Sequence, residues 1–193
     1  DGGGVRIEVT DLDVSARLHL ERQEVEGKGK LTLPAARLLS LVREVPGNRV
    51  VIEAMENGKG ATICSEGGEY SFKLLGESAD EFPEVRSFAG EKAFELPAGK
   101  FSEMLRRVAV ASSRDTSRYQ LTGVFCEIEG KKLKMTATDG KRLTTDEMKI
   151  ENSGSKAISG IIPNRAADVM VKVLSQGSEN IKLALEEIEV QMS

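Results

Sequence analysis

Leu96-Pro97-Ala98-Gly99-Lys100-Phe101-Ser102-Glu103-Met104-Leu105-Arg106-Arg107-Val108 is the stretch that decides how this chain folds. A proline at a helix start costs little, because the first N–H groups have no intrahelical partner and the ring presets φ. Behind it, Phe101, Met104, Leu105 and Val108 recur at helical spacing and give one apolar stripe. The same aliphatic–proline opening stands at Leu33-Pro34 and Ile162-Pro163. The stripes expected there are Leu38, Leu41, Val42 and Val45, and Ala166, Val169, Met170 and Val173. Each proline is followed nine positions later by a basic residue: Arg43, Arg106 and Lys172.

A longer echo overlies this one. Val5-Arg-Ile-Glu-Val-Thr-Asp11 resembles Leu133-Lys-Met-Thr-Ala-Thr-Asp139, 128 residues further on, and Pro34 and Pro163 lie 129 apart. Nested repeats that agree imply a duplicated half-domain unit, itself duplicated. Strands are expected at 5–9, 16–21, 30–33, 49–55, 61–65 and 70–75, then at 93–96, 121–129, 132–138, 143–150, 157–162, 181–186 and 189–192. Asn57-Gly58, Gly67-Gly68 and Asp139-Gly140 supply turns between them. Helices are expected only over 35–45, 98–112 and 164–175. The fold class is therefore α+β: strand, helix, then antiparallel strands, with helices on one side. Residues 77–88, carrying Phe82-Pro83, read as a linker. Asp1-Gly-Gly-Gly4 reads as a turn entered in mid-fold, so the chain is expected to be part of a longer protein.

With 193 residues, 4% aromatics and no Trp, the cores must be aliphatic. Cys64 and Cys126 are too few and too far apart for a disulfide framework, and read as thiols in a reducing cytoplasm. No apolar run reaches the length of a membrane span. Net charge is −4, yet the three helix windows hold seven basic residues against three acidic ones, leaving −8 for the rest. Lys100 and Arg107 project within about 20° of each other on a helical wheel, as do Arg165 and Lys172. Basic helix faces on an acidic body suit a surface that tracks phosphates. Solvated helix faces and helix-dipole complementation account for single residues of this kind equally well.

Signs of catalysis are thin. His19 is the only histidine, and the cysteines lack metal-ligand spacing. Asp11 and Asp13, with Asp139, could be imagined on a divalent cation in a β-rich enzyme domain. Their place in matching Thr-Asp steps favours repeated turns instead. An adhesion or structural repeat module is a third possibility, but gives no reason for basic helices in register. No catalytic residue, metal or cofactor is assigned.

Arg118-Tyr-Gln-Leu-Thr-Gly-Val-Phe125 and Thr138-Asp-Gly-Lys-Arg-Leu143 resemble the middle domain of bacterial sliding clamps, the β subunits of DNA polymerase III. Thr10-Asp-Leu-Asp13, Leu33-Pro-Ala35 and Asp80-Glu-Phe-Pro-Glu-Val85 resemble the first domain and the passage to the second. The resemblance implies a DNA-clamp fold: duplicated strand–helix–strands units, sheets outside, helices lining the hole of a homodimeric ring. It implies that 1–88 is the C-terminal part of a first domain plus linker and 89–193 most of a second, with the third absent. The implied function is a cytoplasmic processivity factor that encircles duplex DNA. Its implied partners are the replicative polymerase, a clamp loader and other replication and repair proteins. Arg37, Arg43, Lys100, Arg106, Arg107, Arg114, Arg118, Arg165 and Lys172 then face DNA. Leu121, Thr138, Gly140, Lys141, Arg142 and Leu143 form part of a pocket for partner peptides, and Tyr70 and Phe72 lie at the subunit interface.

Overall fold

A computed structural model describes residues 4–21, 24–88, 93–115, 117–151, 158–175, 179–186 and 189–192. The chain divides into two compact units, Asp1–Arg86 and Ser87–Ser193. In the first, β1 (Gly4–Thr10) and β2 (Ser15–Glu21) form an antiparallel hairpin. Helix α1 (Ala35–Glu44) starts directly after Pro34. Strands β3 (Val50–Ala54), β4 (Gly60–Ser65) and β5 (Ser71–Leu75) then run as a meander with β5 at its edge. Gly58 and Gly68 turn the chain between them at φ 66° and 71°, where a side chain would be strained. The core is small: Val45, Ala61, Ile63 and Leu74 are buried, with Leu33, Leu38 and Leu41 half-buried against them. Val42, expected on the apolar stripe, is exposed, because α1 meets the sheet along only one narrow line.

The second unit repeats the plan and completes it. After β6 (Phe94–Pro97) and α2 (Ala98–Ala109) come β7 (Gly123–Glu129), β8 (Lys132–Thr138) and β9 (Leu143–Lys149). Then follow β10 (Ile158–Pro163), α3 (Asn164–Leu174), β11 (Asn180–Glu186) and β12 (Glu189–Met192). Two antiparallel sheets, β10-β7-β8-β9 and β12-β11-β6, pack with the helices around one core. The α2 stripe lies as expected: Phe101, Met104, Leu105 and Val108 are fully or nearly fully buried. On α3 the expected stripe is displaced. Ala167, Met170 and Leu174 are buried, whereas Val169 and Val173 are 43% and 55% exposed. Two stripes overlap at Met170, and the helix seats the one ending in the longer leucine.

Lys30–Leu33 is not a strand; only Thr32 bridges, to Glu77. Its counterpart before α3, β10, is a strand because it pairs with β7. Among the described residues of the first unit, Thr32 has no such neighbour. The hairpins show the same contrast. Val5, Ile7 and Val9 of β1 are about 40% exposed, while their repeat equivalents Leu133, Met135 and Ala137 lie under α2 and are buried.

The two hairpin turns, however, share one hydrogen-bond scheme. Leu12 N donates to Thr10 Oγ1, and Gly140 N to Thr138 Oγ1. Asp11 Oδ1 accepts from Asp13 N and Val14 N, as Asp139 Oδ1 accepts from Lys141 N and Arg142 N. Both third residues are left-handed, Leu12 at φ 77° and Gly140 at φ 87°. A leucine there costs roughly 1–2 kcal/mol, and glycine returns about 0.5–1 through its freer unfolded chain. Leu12→Gly should therefore raise the stability of the first unit by about 0.5–1 kcal/mol, read as a higher urea midpoint at unchanged slope.

Candidate nucleic-acid and peptide interfaces

Helices α2 and α3 pack side by side, which gathers Lys100, Arg106, Arg165 and Lys172 on exposed helix surface of one unit. Among the described residues Lys100, Arg106 and Lys172 form no ion pair, so their cations stand open to a phosphate. Arg107 differs from them. Its guanidinium lies 2.7 Å from Asp146 Oδ2 on β9 and 2.6 Å from Glu103. The hydrogen bond to Asp146 raises the Arg107 pKa and lowers that of Asp146. A cation held in this way helps fasten α2 to its sheet and has less charge to offer a ligand. In the first unit Arg37 and Arg43 are exposed on α1. Arg114 and Arg118 are exposed on the loop between α2 and β7.

That loop leads to the second cluster. It closes in a short 3-10 turn, Tyr119–Leu121, whose Leu121 is half-buried. The β8–β9 turn carries the other residues: Thr138 Oγ1 donates to Arg142 O at 2.6 Å, and Arg142 Nε to Asp139 Oδ2 at 3.0 Å. Arg118 reaches this turn, its Nη1 lying 3.6 Å from where a Cβ on Gly140 would stand. The two segments are therefore neighbours. They present Leu143, 64% exposed, among three cationic groups, Arg118, Lys141 and Arg142. An exposed leucine with arginine stems beside it suits an apolar anchor on an acidic peptide.

Backbone N–H groups of Lys141 and Arg142 hold the Asp139 carboxyl below the usual carboxylate range. A folded-state pKa below the unfolded value of about 3.9 gives stability that is complete above that value and lost as pH falls through the lowered one. The turn should thus keep its geometry at pH 5 and open only as pH falls below the unfolded value of about 3.9 and on through the lowered one. Acid titration of the Lys141 and Arg142 amide resonances reads this directly, and Asp139→Asn should blunt it.

The metal reading of Asp11, Asp13 and Asp139 has no geometric support. The Asp11 and Asp139 carboxylates are occupied as turn caps, and among the described residues no group of three His, Cys, Asp or Glu side chains could hold an ion. No described helix is long and apolar enough to cross a membrane.

At the β5 edge Tyr70 is half exposed, whereas Phe72 turns inward onto the core. Sequence reasoning missed two features. One is a hollow of about 450 Å³ lined by Ala36, Arg37, Ser40, Leu41, Lys73 and Leu74, between α1 and β5. The other is Asn164, whose side chain binds the loop after α2; a polar residue directly after the repeated proline was the available signal.

Residues 1–86 match the family model described as DNA polymerase III beta subunit, N-terminal domain, and residues 95–193 match its central domain. The beta sliding clamp of Chlamydia pneumoniae is 33% identical over 94% of this chain and 49% of its own length. That of Synechococcus elongatus is 31% identical over 96% of the chain and again 49% of its own length. A sliding clamp structure from Bacillus subtilis superposes with a TM-score of 0.87 at 25% identity, covering 98% of this chain and 51% of that one. The Pseudomonas aeruginosa β subunit gives 0.89 at 22% identity, a likeness of fold. The chain spans about half the length of the relatives it matches. Two domain models in sequence, on a duplicated fold with basic helices, place this chain in the DNA polymerase III β subunit family, the bacterial sliding clamps.

Proposed function

We propose that the protein is a DNA processivity clamp: a homodimeric ring in the bacterial cytoplasm that encircles duplex DNA and tethers the replicative polymerase, without chemistry of its own. The observation that carries this is the pair of clamp-domain matches falling on two units whose helices bear exposed cations. Encirclement needs only weak, sequence-independent phosphate contacts, which leave the ring free to slide. Opening it falls to a separate loader. The cluster around Leu143 receives apolar anchors of the polymerase, loader and repair proteins. The β5 edge, with Tyr70 and the adjoining hollow, is the candidate subunit interface, because an unpaired strand edge invites another strand.

The domain reading follows the repeat. Among its described residues the first unit shows no counterpart of β6, α2 and β7, and it exposes the face that α2 covers in the second. It is therefore read as the C-terminal part of a domain whose opening elements belong to a longer protein. The test is made on that full-length protein: a dimer by mass, retained on closed circular DNA and lost when the circle is cut. A monomer, or equal retention on linear DNA, overturns the proposal.

A further inference from the structure

The loop between α2 and β7 carries Arg114, Arg118 and Leu121, three of the residues assigned above to DNA or peptide. What fixes it is a side chain on another element. Asn164, the first residue of α3, is half-buried and meets the loop at three points. Its Nδ2 donates to Ser113 O at 2.8 Å, and its Oδ1 lies 2.6 Å from Ser112 Oγ. Its backbone N–H donates to Thr122 O at 3.0 Å. Both serines are nearly buried, and Ser112 Oγ also lies 2.6 Å from Ala109 O at the end of α2. The hold extends outward from there. Ser113 N donates to Leu121 O at 2.8 Å, Ser113 Oγ accepts from Asp115 N at 3.0 Å, and Leu121 N donates to Arg118 O at 2.9 Å. Asn164 thus pins both ends of the loop, and the loop pins Arg118 over the Gly140 turn.

We propose that Asn164 is the positioning residue of the peptide site, clasping the α2–β7 loop so that Leu121 and Arg118 stand against the β8–β9 turn. This rests on the peptide-pocket reading given above. A half-buried amide satisfied at both ends has one orientation, and losing its donor takes from Ser113 O its Asn164 partner. The loop would then sample other conformations, and a peptide would have to restore the bound one at the expense of affinity. Arg114 shares the loop, so the same residue also orders a cation proposed to face DNA.

The test uses the whole chain and a fluorescein-labelled acidic hexapeptide ending in Leu-Phe, followed by anisotropy. Asn164→Asp keeps the shape and removes the Nδ2 donor. Affinity should fall roughly 5- to 30-fold, the factor that one or two kcal/mol of lost ordering represents, while the second unit still unfolds cooperatively, with its melting temperature lowered by several degrees for the lost Ser113 hydrogen bond. Amide exchange at Ser113 and Leu121 should accelerate. Adding Leu121→Ala should then cost less than it does alone, since the two act through one loop. Unchanged affinity, or additive losses with unchanged exchange, overturns the clasp. If Asn164→Asp unfolds, Ser112→Ala carries the same readouts with a smaller expected loss. If the wild-type chain itself leaves the peptide unbound, the pocket reading fails, and amide exchange alone decides whether Asn164 orders the loop.

Discussion

Phe101→Ala is expected to lower the stability of the second unit by about 3–5 kcal/mol. Phe101 has no exposed surface and belongs to the core that α2 shares with both sheets. Removing the ring deletes one of the largest fully buried side chains, and a helix tied at both ends cannot slide to close the gap. Domains of this size are stable by some 5–15 kcal/mol, so the loss is a large fraction of the whole. Urea unfolding followed by circular dichroism should show a first transition at markedly lower denaturant. A loss under about 1 kcal/mol would mean that α2 is held by its polar contacts and not by its stripe.

Reversing Lys100, Arg106 and Lys172 together to Glu is expected to abolish measurable duplex binding at physiological salt. Each cation lies on exposed helix surface without an ionic partner among the described residues, so each can displace a condensed counterion from DNA. Removing three such contacts should flatten the plot of log K against log salt by about 2.7, that is about 0.9 per contact. Three new negative charges repel the backbone besides. Arg107→Ala supplies the contrast. Its guanidinium is already engaged by Asp146 and Glu103, so it should change the slope by well under one unit while loosening α2 from β9. An unaltered slope in the triple variant would remove these helices from the DNA surface.

Most of the fold could be read in the chain, because it depends on local chemistry. Proline-led helices, period-two strands and glycine turns recur at fixed spacings, and β8 and β12 fall on the expected residues. Expectations failed where a distant partner decides. Lys30–Leu33 has strand composition, yet without a neighbouring strand it makes one bridge. The α3 stripe was ambiguous by one helical step, and only packing chose Leu174 over Val173.

The candidate sites were legible in kind but not in detail. Residue type marked the cations, but which of them also pair within the molecule, as the exposed Arg107 does with Asp146, depends on β9, some forty residues away in sequence. Asn164 stood out only as a polar residue after the repeated proline; its role was hidden, because its partners Ser112 and Ser113 lie about fifty residues upstream.

The hairpin turns at Asp11 and Asp139 bear on how such a molecule could arise. Each is held by its own threonine and aspartate, and it keeps the same geometry under a covering helix as without one. A turn so self-sufficient can be copied by gene duplication before the new half has assembled a core. Selection could then tune each copy separately, leaving glycine beside the proposed peptide surface in one and a strained leucine in the other.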